Sequence, residues 1–138
     1  EAVRHERFLL GVDGFTSRRD GVLGARTPHP LFFHGSQHFL SHHALRAGTL
    51  PLEVAVHKMT GAVARHFRLR GRGVVADGAF ADLVLWDPEL LRATDTFVLP
   101  ETYATAARHV WVNGTAVVSS GARTVHRPGI RLERADVL

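Results

Sequence analysis

The stretch that most constrains this chain is residues 71–88, GRGVVADGAFADLVLWDP. Within it, residues 81–86 form a run of strand length, apolar at every position except Asp82. Side chains alternate along an extended chain, so Leu83 and Leu85 take one face and Val84 and Trp86 the other. A strand apolar on both faces has to be covered on both. Upstream, Val74 and Val75 are β-branched, and Asp77-Gly78 is a turn dipeptide that accepts positive φ. The stretch therefore reads as a central hairpin, Val74-Val75 returning through Asp77-Gly78 to the longer strand. Taken alone it is a packing element with no chemistry attached.

The segments ahead of it have a different texture. Residues 8–12, Phe-Leu-Leu-Gly-Val, are a short apolar run of the kind that suits a buried parallel strand, and they stop at Asp13-Gly14. Two readings of that acid are open. It is a plain strand-ending turn, which local physics favours, or it is an acid at the C-terminal end of a barrel strand, where barrel enzymes keep their chemistry. Residues 15–30 are mostly Gly, Arg, Ser, Thr and Pro with hardly any periodicity, a loop long enough to line a site.

Residues 31–47 read as a helix ended by Gly48, with Phe32, Phe33, Phe39, Leu40 and Ala44 as an apolar stripe. His34, His38 and His42 recur every four residues and would share a face. Neutral imidazoles at that spacing can chelate a metal, but no carboxylate stands beside them to orient the rings, so a solvated polar face is the better reading. Pro51 opens the next helix, in which Leu52, Ala55, Val56 and Met59 make one buried face before Thr60-Gly61 closes it. A further helical turn or two follows within residues 62–69.

Beyond Pro88 the chain is irregular to residue 107, with a helical turn near residues 89–92. His109-Val110-Trp111-Val112 then runs into Asn113-Gly114, the strongest short signal for a type I′ hairpin, and residues 115–118 return. The remainder reads as an extended segment and a frayed end. Helices followed by strands point to pieces of two layers, with no internal repeat.

Composition excludes several classes. There is no cysteine, hence no disulfide framework and no thiolate metal site, and a cytoplasmic setting is expected. No apolar run approaches the ~20 residues of a membrane span. The positive balance comes from sixteen arginines against the single Lys58. Arg65, Arg68, Arg70 and Arg72 crowd together, but only Phe67 is interleaved with them, so base-stacking recognition of nucleic acid is not expected. The chain starts at Glu1 and its one methionine is Met59, which suggests a processed or truncated piece of something longer.

Taken together the motifs resemble the C-terminal part of N-acyl-D-amino-acid deacylases (D-aminoacylases) of the amidohydrolase superfamily. GVDG at residues 11–14 resembles the family's SDG, and His29-Pro30 its HPR. LPLEVAVHKMTG at 50–61 is similar to its LSLEEAxRKMT helix, and RGRG, DGAFADLVLWDP, ATDTFVLPETY and HVWVNG follow at the family's spacings. The resemblance implies an α/β fragment: residues 1–69 as the last strand, loop and closing helices of a metal-dependent (β/α)8 barrel, and 70–138 as the C-terminal half of a small β-sandwich. It implies hydrolysis of N-acyl-D-amino acids to a carboxylate and a D-amino acid, with a zinc-bound water as nucleophile. Asp13 matches the catalytic aspartate, which takes that water's proton and passes it to the departing amine. Arg26 and His29 are the substrate-binding candidates. Zinc ligands are expected outside this sequence, so an N-terminal barrel of the same protein is the implied partner and the chain alone is expected to be inactive. Two departures stand out: Val12 replaces the family's serine, and Leu31 its arginine, a residue suited to gripping a substrate carboxylate. A related amidohydrolase acting on cyclic or other amides is the alternative, and a non-catalytic β-rich module that binds a partner is the second.

Overall fold

A computed structural model describes residues 1–12, 31–93 and 106–133, the side chains of 31–33 and 92–93 excepted. It holds a small helical layer and one antiparallel sheet. A 3-10 turn at Ala2–Arg4 opens the chain. Helix α1, Leu31–His38, passes into a π-helix at Phe39–Arg46. Helices α2 (Leu52–Met59) and α3 (Gly61–His66) come next, then strand β1 (Leu83–Trp86) and helix α4 (Pro88–Ala93). Strands β2 (Ala107–Val112), β3 (Thr115–Ser119) and β4 (Ala122–Arg123) complete a sheet of order β1-β2-β3-β4.

The β2–β3 hairpin forms where Asn113-Gly114 predicts it. Asn113 and Gly114 both sit at positive φ, 48° and 79°, the conformation a type I′ turn demands. Val112 pairs with Thr115 across the turn. The Gly114 N–H donates to the Ala81 carbonyl at 3.0 Å, which ties the turn to the approach of β1.

The central hairpin does not form. Val74 and Val75 are irregular and exposed, Val75 at 89%. β1 pairs instead with β2, Leu83 opposite Trp111 and Leu85 opposite His109, and among the described strands it is an edge. Val84 and Leu85 are exposed and only the Trp86 end packs on the core. The Asp77-Gly78 turn is present, with Gly78 at φ 79°, but it leads out of a loop and not out of a strand.

The core lies where the helices meet the end of β1. Phe39 and Leu40 of the π-helix, Leu50, Ala55 of α2, Leu91 of α4 and Ala106 are buried, with Phe8, Leu10, Met59 and Trp86 packed against them. Asp87-Pro88 accounts for the placement of α4. The Asp87 Oδ1 accepts the N–H groups of Glu89 (3.0 Å) and Leu90 (3.2 Å), and Pro88 fills the first helical position, where no N–H is needed. The Asp87 N–H donates to the Ala106 carbonyl at 2.8 Å, so the cap also fixes the entry to β2.

Three other expectations are corrected. Residues 8–12 form no strand among the described residues; the Leu10 N–H reaches the Lys58 carbonyl at 3.4 Å, and no parallel neighbour is there to make a ladder. The helix expected over 31–47 is two helices, with non-helical backbone at His34 (φ −139°). On α2, Ala55 is buried as expected, but Leu52 and Val56 are exposed at 43% and 38% while Lys58 is buried at 4%.

Candidate functional site

Asp13, Arg26 and His29, and the loop that holds the latter two, lie outside the described residues. The segment leading to Asp13 is described. Phe8, Leu9 and Leu10 are half-buried, Gly11 is exposed and Val12 half-buried. The Phe8 ring stacks on Phe39 of the π-helix, with centroids 6.0 Å apart and planes at 19°. The Lys58 ammonium, rising from α2, donates to the His5 carbonyl at 2.5 Å and to the Phe8 carbonyl at 3.4 Å. The Lys58 side chain thus pins the chain to α2 five residues before the candidate acid, and the Leu10 N–H bond to the Lys58 carbonyl does so three residues before it.

The histidines of the first two helices do not share one solvated face. His34 is 8% exposed, His38 is half-buried and His42 exposed. The rings of His38 and His42 stack at 5.3 Å, and His42 meets His43 edge-on at 4.9 Å. The backbone kinks at His34, and His34 is buried, as are Gln37 and Ser41. Burial pushes the His34 imidazole below its ordinary pKa, and the charge of nearby His38 adds to the effect. The folded state therefore holds fewer protons at this site than the unfolded chain once pH falls below about 6.5. Stability is expected to decline as pH drops through that value, and a His34→Gln variant should show a flatter urea midpoint against pH between 7 and 5.

A second polar cluster ties the sheet to the 71–88 stretch. The Arg72 guanidinium pairs with Asp82 Oδ2 and donates to Asn113 Oδ1 at 2.8 Å, lying over the Phe80 ring at 4.1 Å. Asp82 Oδ1 accepts the Asn113 N–H at 2.8 Å, and Asn113 Nδ2 donates to the Pro128 carbonyl at 2.8 Å. The cluster clamps the β2–β3 turn to the 71–88 stretch and to Pro128. Next to it an open cleft of about 500 Å³ runs between α2 and β1, with Met59, Val74, Leu83, Val84 and Trp86 among its walls.

Among the described residues no group of three or more His, Cys, Asp or Glu side chains is placed to hold a metal. The described residues do not make a zinc site. Nor, among them, is any helix long and apolar enough to cross a membrane. Sequence reasoning passed over Lys58, although a signal was present: the only lysine of an arginine-rich chain sits one residue before Met59 on the helix taken as packing.

The sequence matches the amidohydrolase family over residues 19–118, and the chain belongs to that family. Within it, the D-aminoacylase of Alcaligenes xylosoxydans xylosoxydans is 41% identical over 115 residues, which are 83% of this chain and 24% of that enzyme. The fold is similar to the crystal structure of a D-aminoacylase, with a TM-score of 0.67 and 39% identity over 72% of this chain and 21% of that one. It is also similar to N-acyl-D-glutamate deacylase from Bordetella bronchiseptica, solved with zinc and a phosphonate mimic of the tetrahedral intermediate. That likeness has a TM-score of 0.59 and 33% identity, over 70% of this chain and 21% of that one. The chain spans about a quarter of the length of the curated relatives it matches.

Proposed function

We propose that this chain is the C-terminal part of a zinc-dependent deacylase that hydrolyses N-acyl-D-amino acids, active only within a longer protein. The observation that carries the reading is the likeness to D-aminoacylase, at 39% identity with a TM-score of 0.67. Residues 1–69 would close a (β/α)8 barrel and 70–138 would supply half of a β-sandwich. The apolar surface supports this division. β1 leaves one edge without a described neighbour, with Val84 and Leu85 exposed, and Val75 and Phe67 are exposed at 89% and 57%. Edges and apolar faces of that kind are normally covered. In this reading the missing cover is the N-terminal barrel and sandwich of the same protein, and the zinc is held there too, outside the described residues.

Asp13 is assigned as the acid–base group. As a carboxylate it removes the proton from the water that attacks the amide carbonyl carbon, and it returns that proton to the nitrogen as the C–N bond breaks, giving a carboxylate and a free D-amino acid. Arg26 and His29, in the loop after Asp13, are assigned to the substrate. Leu31 stands where the family resemblance puts an arginine, so the grip on the substrate carboxylate would fall to the loop arginines, Arg26 first.

The test is a stereochemical assay of the longer zinc-loaded protein. It should hydrolyse N-acyl-D-amino acids and spare the L-enantiomers, and Leu31→Arg should raise kcat/KM several-fold if carboxylate capture is weak. No turnover of any N-acyl-D-amino acid by folded, zinc-loaded protein would reject the assignment.

A further inference from the structure

The chain uses arginine for sixteen of its seventeen basic side chains, and it places its one lysine inside. Lys58 is 4% exposed. Its ammonium donates to the carbonyls of His5 and Phe8, at 2.5 and 3.4 Å, and sits 5.8 Å from the centroid of the Phe8 ring. Its own carbonyl accepts the Leu10 N–H at 3.4 Å. One residue of α2 therefore holds the N-terminal segment at three main-chain points. Among the described residues no carboxylate is paired with Lys58. Its contacts are to backbone, so what it fixes is the path of the chain.

A position that only had to pack would be served by methionine or leucine, because burying an ammonium carries a desolvation cost that apolar side chains avoid. An arginine would bring a rigid planar fork, whereas two carbonyls three residues apart suit a compact head with rotatable donors. The α2 helix is itself anchored, with Ala55 fully buried and Met59 packed on the core. Lys58 thus transmits the position of a fixed helix to a segment that has no strand ladder of its own.

We propose that Lys58 is a positioning residue for the deacylase reaction, setting the backbone from His5 to Leu10 so that Asp13, three residues further on, is delivered at the right place. The inference rests on the deacylase reading above. A displacement of about 1 Å in a catalytic group is enough to cost ~10²-fold in rate, and losing the ammonium frees the His5 and Phe8 carbonyls, leaving only the main-chain bond from Leu10 to the carbonyl of residue 58 ahead of the acid.

The experiment uses the full-length zinc-loaded enzyme with Lys58→Met and Lys58→Arg. In Lys58→Met, kcat should fall tenfold or more while KM and zinc content stay within twofold. Amide hydrogen exchange over residues 5–10 should rise while that of α3 does not. Lys58→Arg, which keeps the charge, should recover part of both. If Lys58→Met does not fold, Lys58→Gln carries the same comparison. A kcat within twofold of the parent, a fall in kcat that only tracks zinc loss, or unchanged exchange at residues 5–10 would each overturn the proposal. Asp13→Asn run in parallel separates the two claims. If the parent enzyme turns over no N-acyl-D-amino acid, the deacylase reading has failed; if Asp13→Asn keeps full turnover, the role of Asp13, and with it that of Lys58, has failed; if Asp13→Asn is inactive while Lys58→Met is not, only the role of Lys58 has failed.

Discussion

Replacing Asp13 with asparagine in the full-length enzyme is expected to lower kcat by at least ~10²-fold, the usual contribution of a positioned acid–base group. Asparagine keeps the size and one oxygen of the aspartate but cannot carry a proton between water and amine near neutral pH. The change should be confined to the chemical step. Zinc content, measured by atomic emission, and the thermal unfolding midpoint should stay close to those of the parent. Steady-state kinetics on an N-acyl-D-amino acid decide the matter. Full turnover by folded, metal-loaded Asp13→Asn would remove Asp13 from the mechanism.

The largest effect on stability is expected from Gly73→Ala. Gly73 has φ 76°, and a Cβ placed there would lie 2.7 Å from the Ala64 Cβ and 3.0 Å from the Thr60 carbonyl oxygen. None of these neighbours can swing aside, since one is a helix methyl and the other is backbone. The left-handed conformation costs an L-residue about 1–2 kcal/mol, and overpacking adds about 1–3 kcal/mol. Gly78 isolates the two contributions. It has nearly the same φ, 79°, but nothing lies within 4 Å of a Cβ there. Gly78→Ala should therefore lose only the conformational part. Urea unfolding of both variants should place Gly73→Ala well below Gly78→Ala; equal midpoints would mean that Gly73 does not lie against Ala64 and Thr60.

The parts legible in the sequence were those settled by neighbours. Asn113-Gly114 needs only its own two backbone angles to make a hairpin, and the helical turn near residues 89–92 was read locally too, although the Asp87 cap that starts it was not. The partner of residues 83–86 is non-local. A two-residue β-branched run before a turn looked sufficient to pair with it, but the ladder went to β2, more than twenty residues away, and left Val75 in solvent. Periodicity also misled on α2. It weighs Leu52 and Val56 as core and Lys58 as surface, whereas tertiary packing reverses all three. His34 was read with its spacing partners as a polar face, because nothing local announces the kink at His34 or its burial. For the candidate site, Asp13, Arg26 and His29 came from motif likeness alone, and they lie outside the described residues. The geometry adds the tether that leads to them.

The Arg72 clamp also bears on how the protein ages. An asparagine followed by glycine is the pair most open to spontaneous ring closure, in which the glycine nitrogen attacks the side-chain amide and ammonia leaves. Here Asn113 Oδ1 is held by Arg72 and Nδ2 by the Pro128 carbonyl, while the Gly114 N–H is engaged by Ala81. Both reactants are engaged by these bonds, so ring closure is expected to be slower in the folded molecule than in the unfolded chain. Each excursion that opens the clamp exposes it to an irreversible loss.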